Sequence, residues 1–391
     1  MQRVDVTISP SVLTWIMAHC NFNNLQPKIY DLLKDWVEGV KLPTYKQVEA
    51  VSKATGIPFG YFFLANPPKE DLSIIMNYRT IDSVGVIDPS RELINTLQYA
   101  ESVQEWTKNH LIAENEEKLP FVGKFKNESN VVSLSKHVRK ILSIEVDWWK
   151  TIKTPDAAFR YIRQKISFVG VLVLMNGVVG NNTKRILNID EFRAFALIDD
   201  YAPLVFINSN DSYNGRIFSL LHEFVHILLG TNSFYNYVEG ANYNVTREEQ
   251  ICNAVAAEIL IPNSYFKTQW NKEKESLTDI EKIITNVGKN FYCSNIVVAR
   301  KALDNGYINQ KDYIHIVQLI KEQYKTAKKR QKSGGDFYRT LYSRIDRRFF
   351  NMLYTSVLEG KTLYTDAFQL THTNRNTFDH LVKEVQEVRY E

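Results

Sequence analysis

The chain has 391 residues, 44% of them hydrophobic and 24% charged, the proportions of a globular protein long enough for two or three domains. A net charge of +4 over that length is too small to imply a polyanion partner by itself, and no run reaches the roughly 18 consecutive apolar residues needed to span a bilayer. Three scattered cysteines, Cys20, Cys252 and Cys293, form no C-x-x-C pair, so neither a disulfide framework nor a cysteine metal knuckle is supported and a reducing cytoplasm is expected.

The opening stretch MQRVDVTISPSVL places Asp5 where a secretory signal needs an uninterrupted apolar region. Residues 1–70 read as short helices. SPSVLTWIMAHC starts after a serine cap, and PTYKQVEAVSKATG opens with Pro43 and closes with Gly56. A second helical zone covers residues 90–165, with DPSRELINTLQYAESVQEWTKNHL its clearest periodic stretch. The pattern changes at about residue 166. There ISFVGVLVLM, FRAFALID and APLVFIN, separated by the turn-forming NGVVGNNTK and DDYA, predict a small sheet. Helical spacing returns with GRIFSLLHEFVHILLG and REEQICNAVAAEILIP and continues to about residue 330. The basic run KEQYKTAKKRQKSGG, 321–335, reads as a solvated helix end and linker in preference to a phosphate-binding patch. Residues 336–391 read as a small helical appendix, and the chain carries no internal repeat. The expected class is α+β, mostly helical with a small mixed sheet, in zones 1–80, 81–165, 166–330 and 331–391.

If residues 216–229 are helical, His222 and His226 lie one turn apart on a single face. Two imidazoles at that spacing can close on one ion, the basis of the H-E-x-x-H zinc site, and Glu223 then sits beside the metal as a general base. Leu220, Leu221, Phe224, Val225, Leu228 and Leu229 surround these residues, so the helix is expected to be buried. A buried Glu and two His without a partner are expensive, and a metal resolves that cost. A third ligand must come from elsewhere. The next helix offers Glu248, Glu249 and Glu258. Glu249 follows His226 at a distance that allows a loop and an antiparallel return, but T-R-E-E is also a capping box in which Glu249 only reaches back to Thr246. Spacing leaves those two readings even, and Glu258 equally suits an exposed helix carboxylate.

FSLLHEFVHILLG, followed by EEQICNAVAAEILIP and preceded by EFRAFALIDDYAPLVFIN, resembles the ImmA/IrrE family of zinc-dependent metallo-endopeptidases. Members of that family carry E-x-x-[AC]-N-x-x-A-x-x-[LF]-[LI]-x-P on the second helix. In this register the glutamate falls on Glu249, with Cys252, Asn253, Ala256 and Pro262 in step. The resemblance implies a zincin-like peptidase core within 166–330, Zn2+ held by His222, His226 and Glu249, and Glu223 as general base. Asn253 is read either as a hydrogen-bond partner of a ligand or as a helix-packing amide, and Cys252 as a small buried residue. An extended substrate is expected along an edge strand, FRAFALID or APLVFIN. Tyr235, Tyr237, Tyr243 and Arg247 are candidates for the oxyanion stabiliser, none preferred.

The likeness extends towards the N-terminus. DWVEGVKLPTYKQVEAVSKATGIPFGYFFLANPPKE and NYRT resemble the N-terminal half of longer members, which is similar to the helix-turn-helix of Xre-type repressors; W-x-E-G-x-x-x-P-T falls on Trp36, Glu38, Gly39, Pro43 and Thr44. PKIYDLLKD is nevertheless short for the turn and recognition helix of such a repressor, and Asp31 and Asp35 oppose phosphates, although Lys28 and Lys34 partly balance them. A structural or protein-binding role is favoured over DNA reading. The resemblance implies cleavage of an intracellular helix-turn-helix repressor or Xre-type antitoxin, in a stress response, mobile-element induction or a toxin-antitoxin pair. The alternatives are a regulatory module acting on DNA or a repressor with a structural or dormant zinc site, and a zinc hydrolase of a non-peptide bond.

Overall fold

The computed structural model describes residues 5–20, 25–68, 89–231, 233–235, 246–328 and 337–387. The NYRT string, the end of the basic run from residue 329, and Tyr237 and Tyr243 lie outside them. The fold is mostly helical with a small mixed sheet, as the sequence predicts. The strands are β1 (Leu172–Asn176), β2 (Val178–Val179), β3 (Asn182–Ile186), β4 (Ala194–Leu197), β5 (Leu204–Asn208) and β6 (Ser233–Tyr235). No helix among the described residues is long and apolar enough to cross a membrane.

The chain divides into two compact units. The first comprises Met1–Tyr78, Gly85–Tyr99 and Gly177–Leu187, and the second Arg79–Val84, Ala100–Asn176 and Asn188–Glu391.

In the first unit, α1 (Pro10–His19), α2 (Pro27–Val37) and α3 (Tyr45–Thr55) enclose Val12, Ile16, Leu33, Trp36, Val48 and Val51, with Ile57 and Phe62. Ser9 precedes α1, but its hydroxyl meets that of Ser11 and caps no helix N–H, which corrects the expected serine cap. Thr44, one residue after Pro43, starts α3 through a reciprocal capping box with Gln47, and Gly56 ends it in the left-handed region at φ +72°. The segment between Gln26 and Trp36 carries a single helix. NGVVGNNTK is more than the turn it resembles. Gly180, at φ +54°, takes the conformation a two-residue hairpin turn requires, and β2 and β3 pair antiparallel across it. Arg185 of β3 is buried, with Nε 3.2 Å from Glu92 Oε1 and one Nη 2.7 Å from Asn95 Oδ1 on α4 (Arg91–Ala113). A Cβ on Gly56 would run into that guanidinium, so the glycine serves both the helix end and the ion pair.

The second unit contains the four-stranded sheet in the order β1-β5-β4-β6. β1 runs parallel to β5, and β4 pairs antiparallel with both β5 and β6. β1 and β5 are buried at every residue, as a parallel pair covered on both faces requires. The expected strand ISFVGVLVLM begins as helix. Of α5 (Val131–Leu142) and α6 (Pro155–Phe168), the latter runs through its first three residues, and Gly170 at φ +106° leads into β1. FRAFALID and APLVFIN supply β4 and β5, and neither is an edge: β6 closes the outer side of β4, and β5 lies between β1 and β4. The expected substrate edge is thus corrected, because a short strand from beyond the next helix pairs where the local pattern leaves an open side.

Two helices, α7 (Tyr213–Leu229) and α8 (Arg247–Leu260), pack together, with α7 also against α6, β4 and β5. The helices α9 (Asn263–Ser276), α10 (Ile280–Phe291), α11 (Asn295–Asp304) and α12 (Gln310–Lys328) follow. The C-terminal helices are α13 (Phe337–Arg344), α14 (Arg347–Leu358), α15 (Tyr364–Thr371) and α16 (Arg375–Glu387). They are tied to the rest of the second unit by Arg163, which donates to the carbonyls of Val173, Ser343 and Ile345, and by Asp346, whose carboxylate accepts from Val173 N at 3.2 Å.

Candidate metal centre

The histidine helix is fixed at both ends. Ser212 Oγ accepts the Gly215 N–H at the start of α7. At its end Gly230 adopts φ +75° and donates to the carbonyls of His226 and Ile227. Two more donors arrive from a separate stretch of backbone: Gly123 N–H to Ile227 O and Phe125 N–H to Leu228 O, both at 3.0 Å. The last carbonyls of a buried helix therefore have partners, which an apolar end would otherwise lack. Every residue from Ile217 to Leu229 is buried, as the surrounding leucines and phenylalanines predict.

Within this apolar helix His222, Glu223 and His226 are 0%, 0% and 1% exposed. The two histidine Nε2 atoms lie 3.0 Å apart. Across from them α8 is capped by Thr246, whose hydroxyl accepts the Glu249 N–H. Only that half of the capping box forms. The Glu249 carboxylate turns to the histidines, with Oε2 3.3 Å from His222 Nε2 and Oε1 3.2 Å from His226 Nε2. The reading in which the Glu249 side chain reaches back to Thr246 is thus corrected: the threonine accepts the Glu249 N–H, and the carboxylate faces the histidines instead. One ligand atom from each of His222, His226 and Glu249 lies within 4.8 Å of the others.

The remaining carboxylates of α8 go elsewhere. Glu258 is neither exposed nor near the histidines: it accepts from Lys301 Nζ at 2.6 Å and from the Asn263 N–H at the start of α9. Glu248 accepts from the hydroxyl of Thr231, which in turn lies 3.1 Å from His226 Nδ1. The sequence offers Glu248 only as a candidate metal ligand and does not single out Thr231 at all. Asn253 lies beside His222 and favours its charged form, and Cys252 is fully buried beside His226. Tyr235 lies in β6 and Arg247 is the first residue of α8.

Burial opposes ionisation of Glu249, but the hydrogen bonds and charge of His222 and His226 outweigh it and hold the carboxyl well below the usual carboxylate range. Burial likewise lowers the pKa of His222 against the pull of Glu249. It pushes the Cys252 thiol up, which suits a small buried side chain. An anionic carboxylate facing two imidazole nitrogens in an apolar surround is an arrangement that attracts a cation.

Residues 180–302 match the peptidase M78 family, described as the IrrE N-terminal-like domain, and residues 345–384 match a domain of unknown function (DUF8813). No curated protein and no solved structure matches the chain. The M78 span carries α7 and α8, and with them His222, Glu223, His226 and Glu249, and it supports a hydrolase of the ImmA/IrrE metallopeptidase kind.

Proposed function

We propose that the chain is a zinc-dependent endopeptidase that hydrolyses a peptide bond in a specific intracellular protein, a helix-turn-helix repressor or an Xre-type antitoxin. The observation that carries this reading is the convergence of His222, His226 and Glu249 on one point, with Glu223 next along the same buried helix. The donor set suits zinc. Bonds of about 2.0–2.1 Å in a tetrahedron set ligand atoms about 3.3–3.4 Å apart. The two Nε2 atoms, 3.0 Å apart, and the separate Glu249 oxygens facing them, Oε2 at 3.3 Å from His222 and Oε1 at 3.2 Å from His226, are close to that spacing.

His222, His226 and Glu249 would hold the ion, which when bound supplies Lewis acidity to a water and to the scissile carbonyl. Glu223 takes a proton from the attacking water as its oxygen bonds to the carbonyl carbon, and passes that proton to the amine as the C–N bond breaks.

A repressor or antitoxin as substrate rests on the family likeness. The character of the first unit supports a protein partner over DNA. On α2 and the turn after it, Lys34 pairs with Glu38 and Lys41 with Asp35, so these cations already have internal partners. Val40, Leu42 and Tyr45 alongside are exposed, at 61%, 58% and 51%. A cytoplasmic location fits three cysteines that are all free and buried.

Elemental analysis of the full chain tests the metal site. One zinc per wild-type chain, lost in His222→Ala and in Glu249→Ala, is expected; a folded, metal-free wild type under zinc-replete conditions would reject the peptidase and leave the binding-module reading.

A further inference from the structure

Two polar residues beside the centre, Thr231 and Glu248, have no part in the mechanism above, yet they form a directional chain that ends on a proposed ligand. Thr231 follows the Gly230 cap and is held by its own backbone, with its N–H 3.1 Å from His226 O. Its hydroxyl donates to Glu248 Oε1 and lies 3.1 Å from His226 Nδ1. A threonine hydroxyl has one hydrogen, and an ionised carboxylate has none to give. With that hydrogen directed at Glu248, the oxygen can only accept from the imidazole. Nδ1 therefore carries the ring hydrogen, and the lone pair of the neutral ring falls on Nε2, the atom 3.0 Å from His222 Nε2 and 3.2 Å from Glu249 Oε1.

We propose that Thr231 and Glu248 are positioning residues, a hydroxyl and a carboxylate in series that lock His226 in the Nδ1–H tautomer and present its Nε2 to the metal ion. The inference deepens the zinc-site reading and rests on it. The first turn of α8 then acts on both sides of one imidazole. Successive helix residues point about 100° apart, so Glu249 reaches the Nε2 side directly while Glu248 reaches the Nδ1 side through Thr231. A metal-ligating histidine needs its second nitrogen hydrogen-bonded, and loss of such a partner typically lowers metal affinity about 10–100-fold.

The test uses the full chain as wild type, Thr231→Val, Thr231→Ser and Glu248→Ala, with two readouts. Zinc affinity is measured by competition with a chromophoric chelator, and the His226 tautomer by ring-nitrogen NMR on the zinc-free protein at alkaline pH, where imidazoles are neutral. Thr231→Val and Glu248→Ala are each expected to lose about 10–100-fold in zinc affinity. Both are also expected to shift His226 away from the Nδ1–H form, while Thr231→Ser retains both properties. A His226 that stays Nδ1–H in Thr231→Val, or that is Nε2–H in the wild type, overturns the proposal. If the wild type binds no zinc, the metallopeptidase reading fails, and the tautomer spectra still decide whether the chain of hydrogen bonds acts on His226. Glu248→Ala reports from the far end of the chain should Thr231→Val fold poorly.

Discussion

Gly230 and Gly123 meet backbone to backbone: a Cβ on Gly230 would lie 2.9 Å from the Cα of Gly123, whereas a Cβ on Gly123 would lie at an ordinary 3.7 Å from that of Gly230. Both glycines have positive φ, +75° and +64°. Gly123→Ala should therefore cost only the left-handed strain of about 1–2 kcal/mol, and Gly230→Ala that strain plus a clash, about 2–4 kcal/mol in total. Urea denaturation of the two variants side by side checks the order; an equal loss would show that the close approach relaxes freely.

Glu223→Gln keeps the size of the side chain and removes its ability to accept the water proton. Zinc content should be unchanged while hydrolysis falls about 10²–10⁴-fold, the usual contribution of a general base. The inactive variant should also retain its partner, so affinity capture on zinc-loaded Glu223→Gln supplies the substrate with which wild type and variant are compared. Equal cleavage by the two would remove Glu223 from the mechanism.

Arg185 and Glu92 are 6% and 5% exposed and paired at 3.2 Å. Removing one member strands a buried charge, so Arg185→Met is expected to destabilise the first unit by about 3–5 kcal/mol. Replacing both, Arg185→Met with Glu92→Met, should recover much of that loss, because the charge that needed a partner is gone. Thermal denaturation of the single and double variants reads the difference, and a double variant no better than the single would contradict the account.

His372 ends α15 in the left-handed region, at φ +51°, with its pKa pushed down to about 4 by burial and by the charge of Arg344. The unfolded chain takes up this proton near the ordinary value of about 6.5, and the folded chain only near 4, so protonation favours unfolding across that window. Stability should fall as pH drops from about 6.5 towards 4, by about 2–3 kcal/mol from this residue at pH 4.5. Asparagine tolerates the same backbone conformation, so His372→Asn should lose this part of the slope. Urea midpoints at pH 7 and pH 4.5 for both proteins test it, and identical slopes would remove His372 as a contributor.

The part of this protein most legible in its sequence is the part whose contacts are local. His222, Glu223 and His226 can be placed on one buried helix because a 3.6-residue period puts the histidines one turn apart and surrounds them with leucine. Glu249 needed more, since T-R-E-E supports a cap as well as a ligand; the structure keeps only the threonine's half of the cap and turns the carboxylate to the histidines. The sheet edge went unread because β6 pairs with β4 across the whole of α7. The roles of Arg185, Thr231 and Glu248 were hidden for a related reason: each is defined by partners distant in the chain, Glu92 for the first and each other for the last two.

The hairpin of β2 and β3 belongs to the first unit, while Asn176 before it and Asn188 after it belong to the second. The helix α4 also begins in one unit and finishes in the other. The two units are thus interwoven rather than strung in sequence, and no single cut separates them. A chain trimmed of everything before residue 100 would still carry Arg185, now without Glu92, Asn95 or the Gly56 turn beside it. Exchange of the N-terminal segment between relatives, by recombination or by design, must therefore carry residues 177–187 along with it.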